Sequence, residues 1–138
     1  MIIVDSSVWI DYFKGISTPQ VDRLDQLLIL KPIAIGNLIL TEVLQGFRQD
    51  DDYDMAKRLL TSLTVFNLLE ADLAIKSADN FRTLRKQGIT VRKTIDVIIA
   101  TFCIENNHEL LFAGRDFQPF VQHFGLKITM QDQMPPMG

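Results

Sequence analysis

MIIVDSSVWIDYFKG, residues 1–15, sets the fold class. Met1 to Val4 is an unbroken apolar run that stops at Asp5-Ser6-Ser7. So short a run, bounded by polar turn formers, reads as a strand buried on both faces. Val8 to Lys14 then predicts a short helix, with Gly15 at its stop. The same alternation continues outward. Val21, Leu24, Leu27 and Leu28 recur at helical spacing in a segment ending at Leu30, and Pro32 to Ile35 is a second strand candidate. Asn37 predicts an N-cap, and Gly46 a stop, for the next helix. Asp50-Asp51-Asp52 reads as a solvated loop before a helix over Asp54 to Leu63. Thr64 to Leu68 is β-branched and aromatic, a strand pattern, and Ala71 to Gln87 is a long amphipathic helix stopped by Gly88. Thr94 predicts the cap of a helix reaching Glu105, and Leu110 to Ala113 and Leu126 to Thr129 predict the last strands. Short apolar strands alternating with helices make βαβ units: an α/β domain of three layers, α/β/α, around a central parallel sheet. Ligands of such sheets bind outside the carboxyl ends of the strands.

Composition sets the bounds. The chain has 138 residues and a formal charge of −3, with 47% hydrophobic residues. With mean hydropathy +0.12 it is too apolar for intrinsic disorder. Its length suits one domain that buries roughly two thirds of its unfolded surface. Residues 1–133 read as that domain, and 134–138 as a loose C-terminal tail. A lone Cys103 excludes a disulfide framework and a zinc ribbon. No basic start with a longer apolar stretch announces a signal peptide. No uncharged run reaches the roughly 18 residues of a membrane span. The expectation is a cytoplasmic protein without a membrane partner. A pI near 5.3 argues against coating nucleic acid through bulk positive charge.

Four carboxylates fall where the ligand crevice should be. Asp5 ends the first strand and Asp116 follows Leu110 to Ala113; Glu42 and Asp96 sit on helices able to face the crevice. Mg²⁺ takes oxygen ligands, commonly one or two carboxylates with waters and substrate phosphates. Crowded acids raise one another's pKa, and a bound cation relieves that repulsion. One ion can generate a hydroxide; two ions about 3.5–4 Å apart can clamp an in-line phosphoryl displacement. Each acid also has a structural reading. Asp5 suits a helix cap, Glu42 an exposed helix stripe, Asp96 a first-turn acid beside the helix dipole, and Asp116 a turn. Together they carry more weight than any one alone.

Other residues carry less. His108 and His123 lack metal-ligand spacing and suit surface or cap roles; Cys103 suits a core helix. Trp9, Tyr12 and Phe13 read as core or dimer contacts. Arg82, Arg85, Lys86, Arg92 and Lys93 read as a solvated basic face, with RNA phosphate contact as the alternative.

MIIVDSSVWIDYF (1–13), LTEVLQG (40–46) and VRKTIDVIIATFCIENNHELLFAGRDFQPF (91–120), in that order, resemble the PIN-domain family, most of all its VapC-type toxins. The match runs from Met1 to about Ile128. The resemblance implies a PIN-like fold and a metal-dependent endoribonuclease, the toxin of a type II toxin–antitoxin pair. It matches Asp5, Glu42 and Asp96 to the family's central acids and Asp116 to the acid of its Arg-Asp-Phe motif. The expected catalytic set is therefore Asp5, Glu42, Asp96 and Asp116, with Asp5, Asp96 and Asp116 as metal ligands. Ser7 matches a small hydroxyl beside the first Asp, suited to bond Asp5, a water or a phosphate. The implied cofactor is Mg²⁺, or Mn²⁺; the implied partners are RNA, a cognate antitoxin and a second copy of the chain. Gly114 departs from the pattern, since many relatives carry an acid there.

Two other classes stand beside this reading. A receiver-type phosphotransfer domain needs a phosphoacceptor Asp at a middle strand, a following Ser or Thr and a late Lys, and no such set is found. A haloacid-dehalogenase-like phosphatase needs a second Asp where Ser7 stands. A non-catalytic or weakly active protein of the same fold is the second class; Gly114 leans that way.

Overall fold

The computed structural model describes residues 1–30 and 32–130. Five strands, β1 (Ile2–Val4), β2 (Ile33–Gly36), β3 (Thr64–Phe66), β4 (Glu109–Leu111) and β5 (Lys127–Ile128), form one parallel sheet in the order β3-β2-β1-β4-β5. Seven helices complete the α/β/α layers: α1 (Ser6–Lys14), α2 (Pro19–Leu30), α3 (Asn37–Leu44), α4 (Asp50–Thr61), α5 (Ala71–Lys86), α6 (Thr94–Glu105) and α7 (Gln118–Phe124).

β1 lies at the centre of the sheet, and all three of its residues are buried. That is why it reads as a continuous apolar run rather than an alternating one. α1 packs on α2 and α3, and α5 on α6. Trp9, Phe112, Phe117 and Phe120 are the largest side chains in the core, so Trp9 is a core residue. Cys103 is fully buried on α6, as its neighbours imply.

Several boundaries differ from the sequence reading, for local reasons. The helix expected from Val8 starts at Ser6, because Asp5 is itself the N-cap and accepts from Ser7 N. Gly36, not Asn37, is the N-cap of α3; the Asn37 side chain instead accepts from Leu68 N at 3.1 Å and donates to Asn67 Oδ1 at 3.3 Å. Lys93, not Thr94, caps α6. Asp50-Asp51-Asp52 is the first turn of α4, where three carboxylates oppose the helix dipole, and not a loop. α7 was not expected. Yet Phe117, Phe120, Val121 and Phe124 recur at helical spacing, Pro119 stands in the first turn, and Gly125 ends the helix with φ 69°. The strand expected over Leu110 to Ala113 is Glu109–Leu111, the one expected over Leu126 to Thr129 is Lys127–Ile128, and β3 stops at Phe66. His108 is half-buried, its ring stacked on Phe66 and Phe102. The loose tail expected at 134–138 lies outside the described residues.

Candidate active site

At the carboxyl edge of the sheet, Asp5, Ser6, Ser7, Ile10, Glu42, Lys93, Asp96, Ala113, Asp116 and Phe117 line one cavity of about 190 Å³. All four expected acids are brought together there, from four separate segments. Asp5 is held where β1 passes into α1. Its backbone N donates to Leu111 O at 2.9 Å, extending the β1–β4 ladder by one bond, and its carbonyl receives Val8 N at 3.1 Å. Its backbone is therefore fixed from both sides. Ser7 Oγ donates to Asp5 Oδ2 at 2.6 Å, and Ser7 N donates to the same oxygen at 3.3 Å. The other oxygen, Asp5 Oδ1, is buried with no hydrogen-bond partner.

Glu42 projects from α3, and Ser6 Oγ donates to its Oε1 at 3.1 Å. Asp96 lies in the first turn of α6 and is 7% exposed; Asp116, after β4, is exposed. Ser6 and Lys93 are the polar cavity residues outside the expected site set, Lys93 being one of the basic residues whose alternative reading was RNA phosphate contact.

The electrostatics follow from burial and crowding. Asp5 is raised above the ordinary Asp range by burial, against the opposing Ser7 and Ser6 hydrogen bonds. Glu42 is raised by burial, with the Ser6 bond opposing and Asp5 adding to the rise. Asp96 is pushed up to about 7, first by burial and then by the charge of Asp5; Asp116 and Glu42 add to it, and Lys93 opposes. One carboxyl of the cluster thus holds its proton part of the time at neutral pH.

Among the described residues no three acids form a ready-made ligand set for a metal. The donors nevertheless suit a hard cation. They are all oxygens, they repel one another, and a buried oxygen of Asp5 lacks any protein donor. An orphaned buried acceptor is the observation that a bound cation would explain.

The family profile described as PIN domain matches residues 2–120. A VapC ribonuclease of Mycobacterium bovis is 29% identical over 119 residues, covering 85% of this chain and 89% of that protein. Ribonuclease VapC11 of Mycobacterium tuberculosis matches to the same extent. Among solved structures, the DNA-bound VapBC of Salmonella typhimurium superimposes with TM-score 0.71 at 16% identity, over 92% of this chain and 95% of that one. VapC20 of M. tuberculosis, described as a sarcin–ricin loop cleaving toxin, gives TM-score 0.63 at 17% identity, over 86% and 94%.

Proposed function

Since the chain belongs to the PIN-domain family, we propose that it is a divalent-metal-dependent endoribonuclease of the VapC kind, the toxin of a toxin–antitoxin pair. The observation that carries this reading is the single cavity shared by Asp5, Glu42, Asp96 and Asp116, together with a buried Asp5 oxygen, Oδ1, that has no hydrogen-bond partner. Relatives at 29% identity are named ribonucleases, and several of the similar folds are toxin–antitoxin complexes, which supports both halves of the proposal.

Asp5 and Asp96 would be the main ligands, with Asp116 a third and Glu42 completing the cluster. A bound Mg²⁺ or Mn²⁺ supplies Lewis acidity toward the phosphodiester and offsets the carboxylate charge. The chain's own residues do the rest. Ser7 fixes one Asp5 oxygen, and the other is buried without a hydrogen-bond partner. Ser6 fixes the Glu42 carboxylate against α1. Asp96 holds a proton part of the time at neutral pH in the metal-free site, and a bound cation would displace that proton as the carboxylate takes its place as a ligand. Ile10, Ala113 and Phe117 wall the cavity and limit water. The products would be a 5′-phosphate and a 3′-hydroxyl.

The same reading includes a cognate antitoxin that covers this acidic cavity, a homodimer and a cytoplasmic setting. Among the described residues no helix is long and apolar enough to cross a membrane.

The test is cleavage of a structured-RNA pool with Mg²⁺, Mn²⁺ or EDTA, beside Asp96→Asn. Metal-dependent cuts absent from the variant are expected; undiminished cutting by the variant would sink the assignment. The second reading, a weakly active or non-catalytic protein, draws on Gly114, where no carboxylate stands and where φ is 84°. Calorimetry separates the two, because an inert fold would take up Mg²⁺ poorly.

A further inference from the structure

Lys93 is the cation that lines the acidic cavity. As the N-cap of α6 its carbonyl receives Asp96 N at 3.2 Å and Val97 N at 3.4 Å, so one turn fixes both Lys93 and Asp96. Lys93 lines the same cavity as the acids, and against the effect of burial its charge lowers the carboxyl pKa of Asp5, Glu42 and Asp96. Yet the side chain is exposed, and among the described residues it is bound in no ion pair. Lys93 is thus a solvent-exposed cation on the wall of the acidic cavity, in contact range of a ligand entering from solvent.

The approaching phosphodiester is an anion entering an acidic pocket in a protein of charge −3. It needs a positive group on the solvent side of the carboxylates. An ammonium on a flexible stem is a point charge able to follow a phosphate oxygen without demanding one geometry. Given the nuclease reading above, we propose that Lys93 grips a phosphate of the RNA substrate at the mouth of the acidic cavity. It is the chain's own substrate-binding cation there. Arg92 beside it is exposed but does not line the cavity, so its charge acts only at a distance.

The test compares wild type with Lys93→Gln, Lys93→Arg and Arg92→Gln, using an RNA that the wild-type protein cuts. Lys93→Gln should raise KM about 10- to 100-fold, the worth of a hydrogen bond to a charged group. Lys93→Arg should recover most of that loss. Arg92→Gln should change KM less than Lys93→Gln does. In an Asp96→Asn background, Lys93→Gln should lower the slope of log binding constant against log salt by about one. Thermal melting of each variant checks that α6 keeps its cap, which is a backbone function. Equal losses in Lys93→Gln and Arg92→Gln would reduce the effect to bulk charge and overturn the proposal. So would unchanged KM and salt slope in Lys93→Gln. Failure of the wild-type protein to cut any RNA would instead defeat the nuclease reading on which the proposal rests.

Discussion

Ser6 Oγ donates to Glu42 Oε1 over 3.1 Å, tying the first turn of α1 to α3 across 36 residues of sequence. The bond ends on a carboxylate in the cavity, so its loss should be felt there first. Ser6→Ala should lower kcat/KM about tenfold, the scale of one hydrogen bond to a charged group. The melting temperature should shift by only a few degrees, and kinetics beside calorimetry check the split.

Asp96 links the site to pH. Its folded value of about 7 lies above the ordinary 3.8, so between those values the folded chain holds a proton that the unfolded chain has released. Raising pH through that window therefore weakens the metal-free fold. Metal-free protein should melt higher at pH 5 than at pH 8, and Asp96→Asn should flatten that difference. Adding Mg²⁺ at pH 8 should raise the melting temperature of wild type but little that of the variant. A wild-type melting curve independent of pH and of Mg²⁺ would contradict this account of Asp96.

Gly36 closes β2 and caps α3, and any Cβ there would overlap the Leu68 side chain at Cδ1, Cγ and Cδ2. Leu68 is 1% exposed and cannot swing aside without opening the core. Gly36→Ala should cost about 1–3 kcal/mol by denaturant unfolding, the usual penalty of overpacking. Because α3 begins at this residue, the Glu42 carboxylate should move with it, and cleavage should fall further than stability alone accounts for.

Cys103 is fully buried, and burial pushes its thiol up to about 12. Thiolate is the reactive form, so a thiol reagent should leave the native chain unlabelled at pH 8 and label it fully in denaturant. Rapid labelling of native protein would place Cys103 outside the core.

The parts of the fold legible in the sequence are those whose local pattern and tertiary role coincide. Ile2, Ile3 and Val4 are apolar because the central strand is covered on both faces, and Asp5 ends the run because it is both cap and site residue. The four acids were legible as a set for the same reason. Two other residues of the cavity were less legible. Ser6 gains its role through a partner 36 positions away, and nothing near it in the sequence announces Glu42. Lys93 is one of five basic residues between Arg82 and Lys93, and only the path of the chain into α6 decides which one reaches the acids. The acids at Asp50 to Asp52 were misassigned because charge alone does not separate a solvated loop from a first helical turn.

The strand order has a consequence for how the protein comes into being. β1 is made before the other described strands but pairs on one side with β2 and on the other with β4, whose residues follow about a hundred positions later. Asp5 itself is anchored to Leu111, and Asp116 comes later still. The acidic cavity therefore cannot assemble on a half-made chain. Whatever chemistry it performs is withheld until nearly all of the described chain has left the ribosome, so a truncated translation product should be inert rather than partly active.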